Sequence, residues 1–177
     1  ARGNNVETAE MVLRMVLVGL GATLIMDLSA LIQARVFGSA SLDYRLVGRW
    51  LGHMPKGQFR HASIVAAHPT WHESLIGWGF HYVTGSVFAM VLLAFQGQAW
   101  LCSPSLMPAL LTGLISVLAP FCIMQPAFGF GFAAAKTPTP NRARRRSLLA
   151  HLTFGAGLFV AGWLLIQLFP ASVCLRQ

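Results

Sequence analysis

Four stretches of this sequence are each long and apolar enough to cross a bilayer, and most of the basic residues lie between them. They run from about Met11 to Ile32, Ser74 to Phe95, Leu106 to Ala133 and Ser147 to Phe169. At about 1.5 Å of rise per residue, a helix over each would cover roughly 30 Å of hydrocarbon. Only 10% of the residues are charged, against 55% hydrophobic, and mean hydropathy is +0.62. Soluble domains carry about 25% charged residues, so this chain cannot build a water-facing surface. An ordinary soluble domain, a disordered chain and a coiled coil are excluded. The predicted fold is all-α, a polytopic integral membrane protein whose residues 1–177 form a single four-helix transmembrane bundle. The first span carries an acid and lacks a small-residue cleavage context, so it is expected to be a retained span rather than a signal peptide.

The placement of charge sets a direction. Arg35, Arg45, Arg49, Lys56 and Arg60 lie in or beside the first connection, and Lys136, Arg142, Arg144, Arg145 and Arg146 lie in the third. The second connection, from Gln96 to Ser105, has no charge. Four spans put both basic connections on one side, where the retention of Lys and Arg predicts the cytoplasm, with both termini outside. The net charge of +8 is therefore a membrane-topology signal. It is not read as a nucleic-acid footprint, because no aromatic stacking platform accompanies it. Arg142, Arg144, Arg145 and Arg146 read as a topology anchor, with an anionic lipid-headgroup site as the alternative. In the first connection Leu42, Leu46, Val47, Trp50 and Leu51 recur at helical spacing, which predicts a short amphipathic helix in the headgroup region. Pro120 and Pro126 predict a kink in the third span, Gly129 and Gly131 an unwound end, and Pro170 the end of the fourth.

Ionisable groups inside spans are costly and tend to face partners in the bundle interior. Asp27, His81 and His151 stand out in spans one, two and four, with Gln125 in span three. Counted along the helices from the basic ends, all four fall in the cytoplasmic half. Thr23 and Gly19 share a face with Asp27, Gly85 and Ala89 with His81, and Gly155 and Gly162 with His151. Small residues mark packed faces, so the four polar side chains are expected to meet in one cluster, with Met26, Tyr82 and Met124 nearby. Three uses stay open. The cluster could be hydrogen-bonded glue between helices, a proton or ion pathway or small-ligand site, or a metal or haem site with His81 and His151 as ligands. No cofactor is named by the sequence.

Other features are weaker. His68, His72 and Glu73 have metal-like spacing interrupted by Pro69, and with His53 and His61 they read as interfacial polar residues. No Ser-His-Asp or Cys-His arrangement is present, and Gly129-Phe130-Gly131 lacks the lysine of a phosphate loop. Cys102 and Cys174 fall on the outer side, so they are expected to lie close or form a disulfide, while Cys122 is expected to be a free buried thiol.

Several blocks together carry a resemblance. They are Gly21-Ala22-Thr23-Leu24-Ile25-Met26-Asp27-Leu28, Leu46-Val47-Gly48-Arg49-Trp50-Leu51-Gly52-His53, Gly77-Trp78 with His81-Tyr82, Leu118-Ala119-Pro120 with Met124-Gln125-Pro126, and Lys136-Thr137-Pro138. The chain resembles, from about Val12 to Gly162, an uncharacterised bacterial membrane family known as domain of unknown function 2938. The resemblance implies a bacterial inner-membrane protein with several spans and transfers no activity, substrate or cofactor. The leading expectation is small-solute transport or permeation, proton-linked, with Asp27 as proton acceptor and His81, Gln125 and His151 as relay or ligand groups. Four spans are few for a transporter, so a homodimer would accompany it. One alternative is a non-catalytic accessory subunit of a larger membrane complex, docking through Phe128, Phe130, Phe132 and Trp163. The other is a metal- or haem-binding redox protein.

Overall fold

The computed structural model of the chain describes residues 2–38, 42–171 and 174, with side chains from Val6 onward. Among the described residues there are seven α-helices and no strand: α1 (Arg2–Phe37), α2 (Tyr44–His53), α3 (Glu73–Gln96), α4 (Gln98–Cys102), α5 (Leu106–Ser116), α6 (Gln125–Ala127) and α7 (Pro140–Leu168). Four stretches are long and apolar enough to cross a membrane: Val6–Phe37, Glu73–Gln96, Leu106–Ala127 and Pro140–Leu168. The chain is a four-span bundle with its basic connections at one end and the α3–α5 connection at the other.

Several boundaries differ from the sequence expectation, and the first span runs Val6–Phe37 rather than Met11 to Ile32. The fourth helix starts at Pro140, whose missing N–H costs nothing in a first turn, so Arg142, Arg144, Arg145 and Arg146 ride on helix rather than loop. The third span ends at Ala127 rather than near Ala133. Pro120 has no amide hydrogen to offer the preceding turn. The chain answers with a π turn over Pro120–Met124, closed by the Gln125 amide on the Pro120 carbonyl. The extra residue shifts the helical phase, turning Gln125 inward and Cys122 outward. Cys122 is a free thiol but exposed, a correction to its expected burial. After Ala127 the backbone leaves the helix through Gly129 (φ 86°) and Gly131 (φ 75°), conformations glycine adopts freely.

α1 packs against both α3 and α7, α5 packs against α7, and α3 touches α5 only sparsely. Small residues set the close crossings. A Cβ at Gly113 would collide with the His151 carbonyl, and a Cβ at Gly77 with the Tyr44 carbonyl. Two apolar cores result. The core nearer the uncharged connection joins Met15, Val18, Leu92, Trp100, Ala109 and Leu158. The core at the basic end joins Tyr44, Val47, Trp50, Ile64, Ala127 and Phe128. Phe128 is 0% exposed, so it offers no docking surface, whereas Phe132 and Trp163 are exposed.

Helix α2 is capped by Asp43, whose Oδ1 accepts the Arg45 amide at 3.0 Å. Arg45 beside it also holds the Asp43 carboxyl below the usual carboxylate range. The helix is amphipathic, and its apolar face packs on protein, with Tyr44, Val47 and Trp50 buried. Arg49 fixes it there. Its guanidinium forms a two-point ion pair with Glu73 at 2.9 and 3.0 Å and reaches the carbonyls of Ile64, Val65 and Ala67. Glu73 also accepts the Thr70 amide at 3.1 Å, so the His68–Glu73 segment is a helix start and not a ligand set. At the opposite end Cys102 and Cys174 form a disulfide, with Cα atoms 5.4 Å apart.

Candidate functional site

Between the two cores lies a cavity of about 650 Å³. Its lining runs from Gln33, Asp43 and Arg146 toward the basic end to Phe88 and Phe154. The sparse contact between α3 and α5 leaves this space open, and the Met15–Leu158 core closes the bundle beyond it.

Three polar pairs stand around the cavity, each joining two elements. His81 Nε2 on α3 lies 3.0 Å from Asp27 Oδ1 on α1, with the two side chains 12% and 16% exposed. His151 Nδ1 on α7 lies 2.6 Å from Ser116 Oγ on α5. Gln125 Nε2 donates to Ser147 Oγ on α7 at 3.4 Å. His81, Gln125 and His151 line the cavity, as do Met26 and Met124. Asp27 and Tyr82 do not, because Asp27 stands behind His81 on α1. The four polar residues thus surround one space as separate pairs, and the expected single cluster in mutual contact is not what the helices build. Their spacing around the bundle prevents it: α1 and α3 supply one pair, and α5 to α7 supply the other two.

The Asp27–His81 pair is enclosed by aromatic rings. Tyr44 of α2 stacks on His81 with centroids 4.1 Å apart and planes at 27°, and Trp78 meets the same imidazole edge-on at 5.9 Å. Burial, with the Asp27 carboxylate nearby, pushes the Tyr44 phenol above its usual range, so the stacked ring stays neutral. The Tyr82 hydroxyl interacts electrostatically with the same carboxylate. Yet Asp27 Oδ2 has no hydrogen-bond partner of ordinary geometry and is buried. Gln125 Oε1 is in the same position. Unpaired buried acceptors cost roughly 1–3 kcal/mol each and mark places where water, a proton or a ligand completes the bonding.

Ser116 Oγ also donates to the Gly113 carbonyl at 2.6 Å. Its single proton is then spent, so the His151 Nδ1–H donates to Ser116 Oγ and its Nε2 is left as an acceptor for the cavity. The two candidate metal-ligand histidines are therefore each engaged by a neighbour, and no group of three or more metal-ligating side chains occurs among the described residues.

Several contributors escaped the sequence reading. Ser116 and Ser147 were hidden as ordinary small residues at helix crossings, and Tyr44 as part of an interfacial helix. Arg14 lies within the first span. It pairs with Glu10 at 2.8 Å and donates to the carbonyls of Phe169 and Pro170, holding the end of α7. Within the arginine cluster, Arg144 is not free for lipid, because its Nε donates to the Ala133 carbonyl at 2.8 Å. Arg146 lines the cavity, and Arg142 and Arg145 are exposed.

Comparison with known proteins gives one match. The model of the family described as Protein of unknown function (DUF2938) matches residues 16–165, a stretch that takes in all three polar pairs. No curated protein and no solved structure matches the chain.

Proposed function

The chain belongs to the DUF2938 family, and from that premise and the site geometry we propose that it passes a small solute across a bacterial inner membrane, coupled to protonation of the Asp27–His81 pair. The observation that carries this reading is the cavity itself. It is about 650 Å³, lies beside the apolar core around Met15 and Leu158, and has His81, Gln125 and His151 on its wall. A polar-lined space next to an apolar barrier suits one half of an alternating-access cycle. Glue between helices needs hydrogen bonds but no empty space beside them.

The residues divide the work. Asp27 holds the imidazole of His81 and accepts its proton, with the Tyr82 hydroxyl beside the same carboxylate. Gln125 Oε1 and His151 Nε2 offer acceptors to a solute that brings hydrogen-bond donors. The π turn at Pro120–Met124 and the loose α3–α5 contact supply the place where the bundle can change shape.

The basic end is assigned to the cytoplasm and the disulfide end, with both termini, to the periplasm. Two independent features support this. Lys and Arg are retained inside, and a disulfide persists in an oxidising compartment.

The test is proton flux. Protein is reconstituted into phosphatidylethanolamine–phosphatidylglycerol vesicles containing a pH-sensitive dye, and a potassium diffusion potential is imposed. Wild-type vesicles should acidify faster than empty ones, with Asp27→Asn and His81→Gln at the empty rate and Cys122→Ser at the wild-type rate. Equal flux in wild type and both site variants would end this reading.

A further inference from the structure

A second concavity, separate from the central cavity, opens where the third span ends. It measures about 530 Å³ and is walled by Arg60, His61, Pro126, Gly129, Gly131 and Lys136, with Ala62 and Phe132 completing it. Two loops build it. The Gln58–Ile64 strand of chain is laced to the end of α6 by the His61 amide on the Ala127 carbonyl at 2.8 Å and the Ile64 amide on the Phe128 carbonyl at 3.1 Å. The Lys136 amide returns to the Phe130 carbonyl at 2.8 Å, closing the opposite wall.

We propose that this concavity binds a phosphate-bearing anion, supplied by a lipid headgroup or by a soluble phosphate ester. Its walls carry two cations, and no carboxylate is among the residues that form it. Among the described residues neither the Arg60 nor the Lys136 side chain has an ion-pair or hydrogen-bond partner, whereas Arg14, Arg45 and Arg49 are each paired with a carboxylate. His61 forms part of the same wall, and its buried Nε2 has no hydrogen-bond partner. A guanidinium and an ammonium on one concave wall suit a tetrahedral oxyanion.

The backbone keeps the space open. A Cβ at Gly131 would stand 2.9 Å from Lys136 Cγ, so any side chain there would push the lysine aside. The rim favours a bilayer surface, because Phe132 is 66% exposed on the pocket and Phe59, beside Arg60, is 58% exposed. Exposed aromatic rings beside cations are the usual furniture of the headgroup layer. This site stands apart from Arg142 and Arg145, whose charges lie on the first turns of α7 and line neither cavity.

Native mass spectrometry of the detergent-purified protein tests the proposal, with a palmitoyl-oleoyl phosphatidylglycerol, the matching phosphatidylcholine, glycerol 3-phosphate and inorganic phosphate as probes. Phosphatidylglycerol retained over phosphatidylcholine, by at least about tenfold for a two-cation site, supports the site with a lipid source. Displacement of that lipid by glycerol 3-phosphate or phosphate supports the same site with a soluble source. In either case Arg60→Gln/Lys136→Gln should abolish the preference, while Lys56→Gln and Arg142→Gln/Arg145→Gln keep it. Both pocket side chains are exposed, so the double variant should keep the wild-type melting temperature. Binding of the probes unchanged in the double variant, or no preference for any of them in the wild type, would overturn the proposal.

Discussion

His81 Nε2 stands 3.0 Å from Asp27 Oδ1, tying α3 to α1 beside the cavity of about 650 Å³. The bond lies under the Tyr44 ring, so α2 is part of the site although it lies outside the spans. A pair buried this way should be energetically coupled. Asp27→Ala should cost about 1–3 kcal/mol by leaving the imidazole unpaired. The double variant Asp27→Ala/His81→Ala should cost less than the sum of the single ones, by about 1 kcal/mol. Unfolding titrations of the four proteins in mixed micelles would check this, and strict additivity would mean that the two residues do not act together.

The Arg49–Glu73 ion pair should be the main clamp of α2. Its side chains are only 12% and 14% exposed, and Arg49 also satisfies three backbone carbonyls. Removing one partner from a buried pair costs about 3–5 kcal/mol. Here the residual exposure lowers the expectation to about 2–3 kcal/mol for Arg49→Ala. Proteolysis between Gly57 and Trp71 should accelerate in this variant, and unchanged cleavage would show that other contacts hold the helix.

Acid should weaken the basic-end core. Burial, then the neighbouring His53 ring, lowers the His61 pKa below its ordinary value near 6.5. Between that lowered value and about 6.5 the unfolded chain binds one more proton than the folded one. Stability from this group is therefore complete above about pH 6.5 and declines as the pH falls through that window. Thermal unfolding at pH 7.5 and 5.5 should show a smaller acid loss in His61→Gln than in wild type. The same loss in both would assign the effect elsewhere.

Much of this was readable before any coordinates. Long apolar runs, sparse charge and basic connections dictate four spans, because backbone polarity and membrane electrostatics leave few other solutions. Small residues at helical spacing from Asp27, His81 and His151 mark the faces that pack. What could not be read is partner choice. Ser116 and Ser147 become hydrogen-bond partners only once Gly113 lets α5 close on α7. Pro120 announces an irregularity, but whether it becomes a kink or a π turn depends on the neighbours that receive the displaced phase. In the sequence Phe128 reads as an outward-facing aromatic of a docking surface. Its place inside the core under Trp50 follows from the turn at Gly129, a long-range consequence of how the Gln58–Ile64 segment folds over it.

The thiols should separate by environment. Cys102 and Cys174 close a loop spanning 72 positions, so Cys102→Ser/Cys174→Ser should lose up to about 4 kcal/mol, less if the unfolded chain stays in the membrane. Cys122 faces outward from the third span. A lipid-soluble maleimide should modify it in intact membranes, and a charged one should not. Fast modification by the charged reagent would place that face in water.

Water access to the cavity from the basic end is measured directly by cysteine reactivity in a Cys122→Ser background. Ser147→Cys and Thr84→Cys line the cavity, whereas Leu92→Cys sits in the core that closes it, 1% exposed. In inside-out vesicles, a membrane-impermeant maleimide should label Ser147→Cys and Thr84→Cys within minutes and leave Leu92→Cys unmodified. If all three stay unlabelled, or label only from the opposite side, there is no solute cavity open at that end and the polar pairs are internal fasteners.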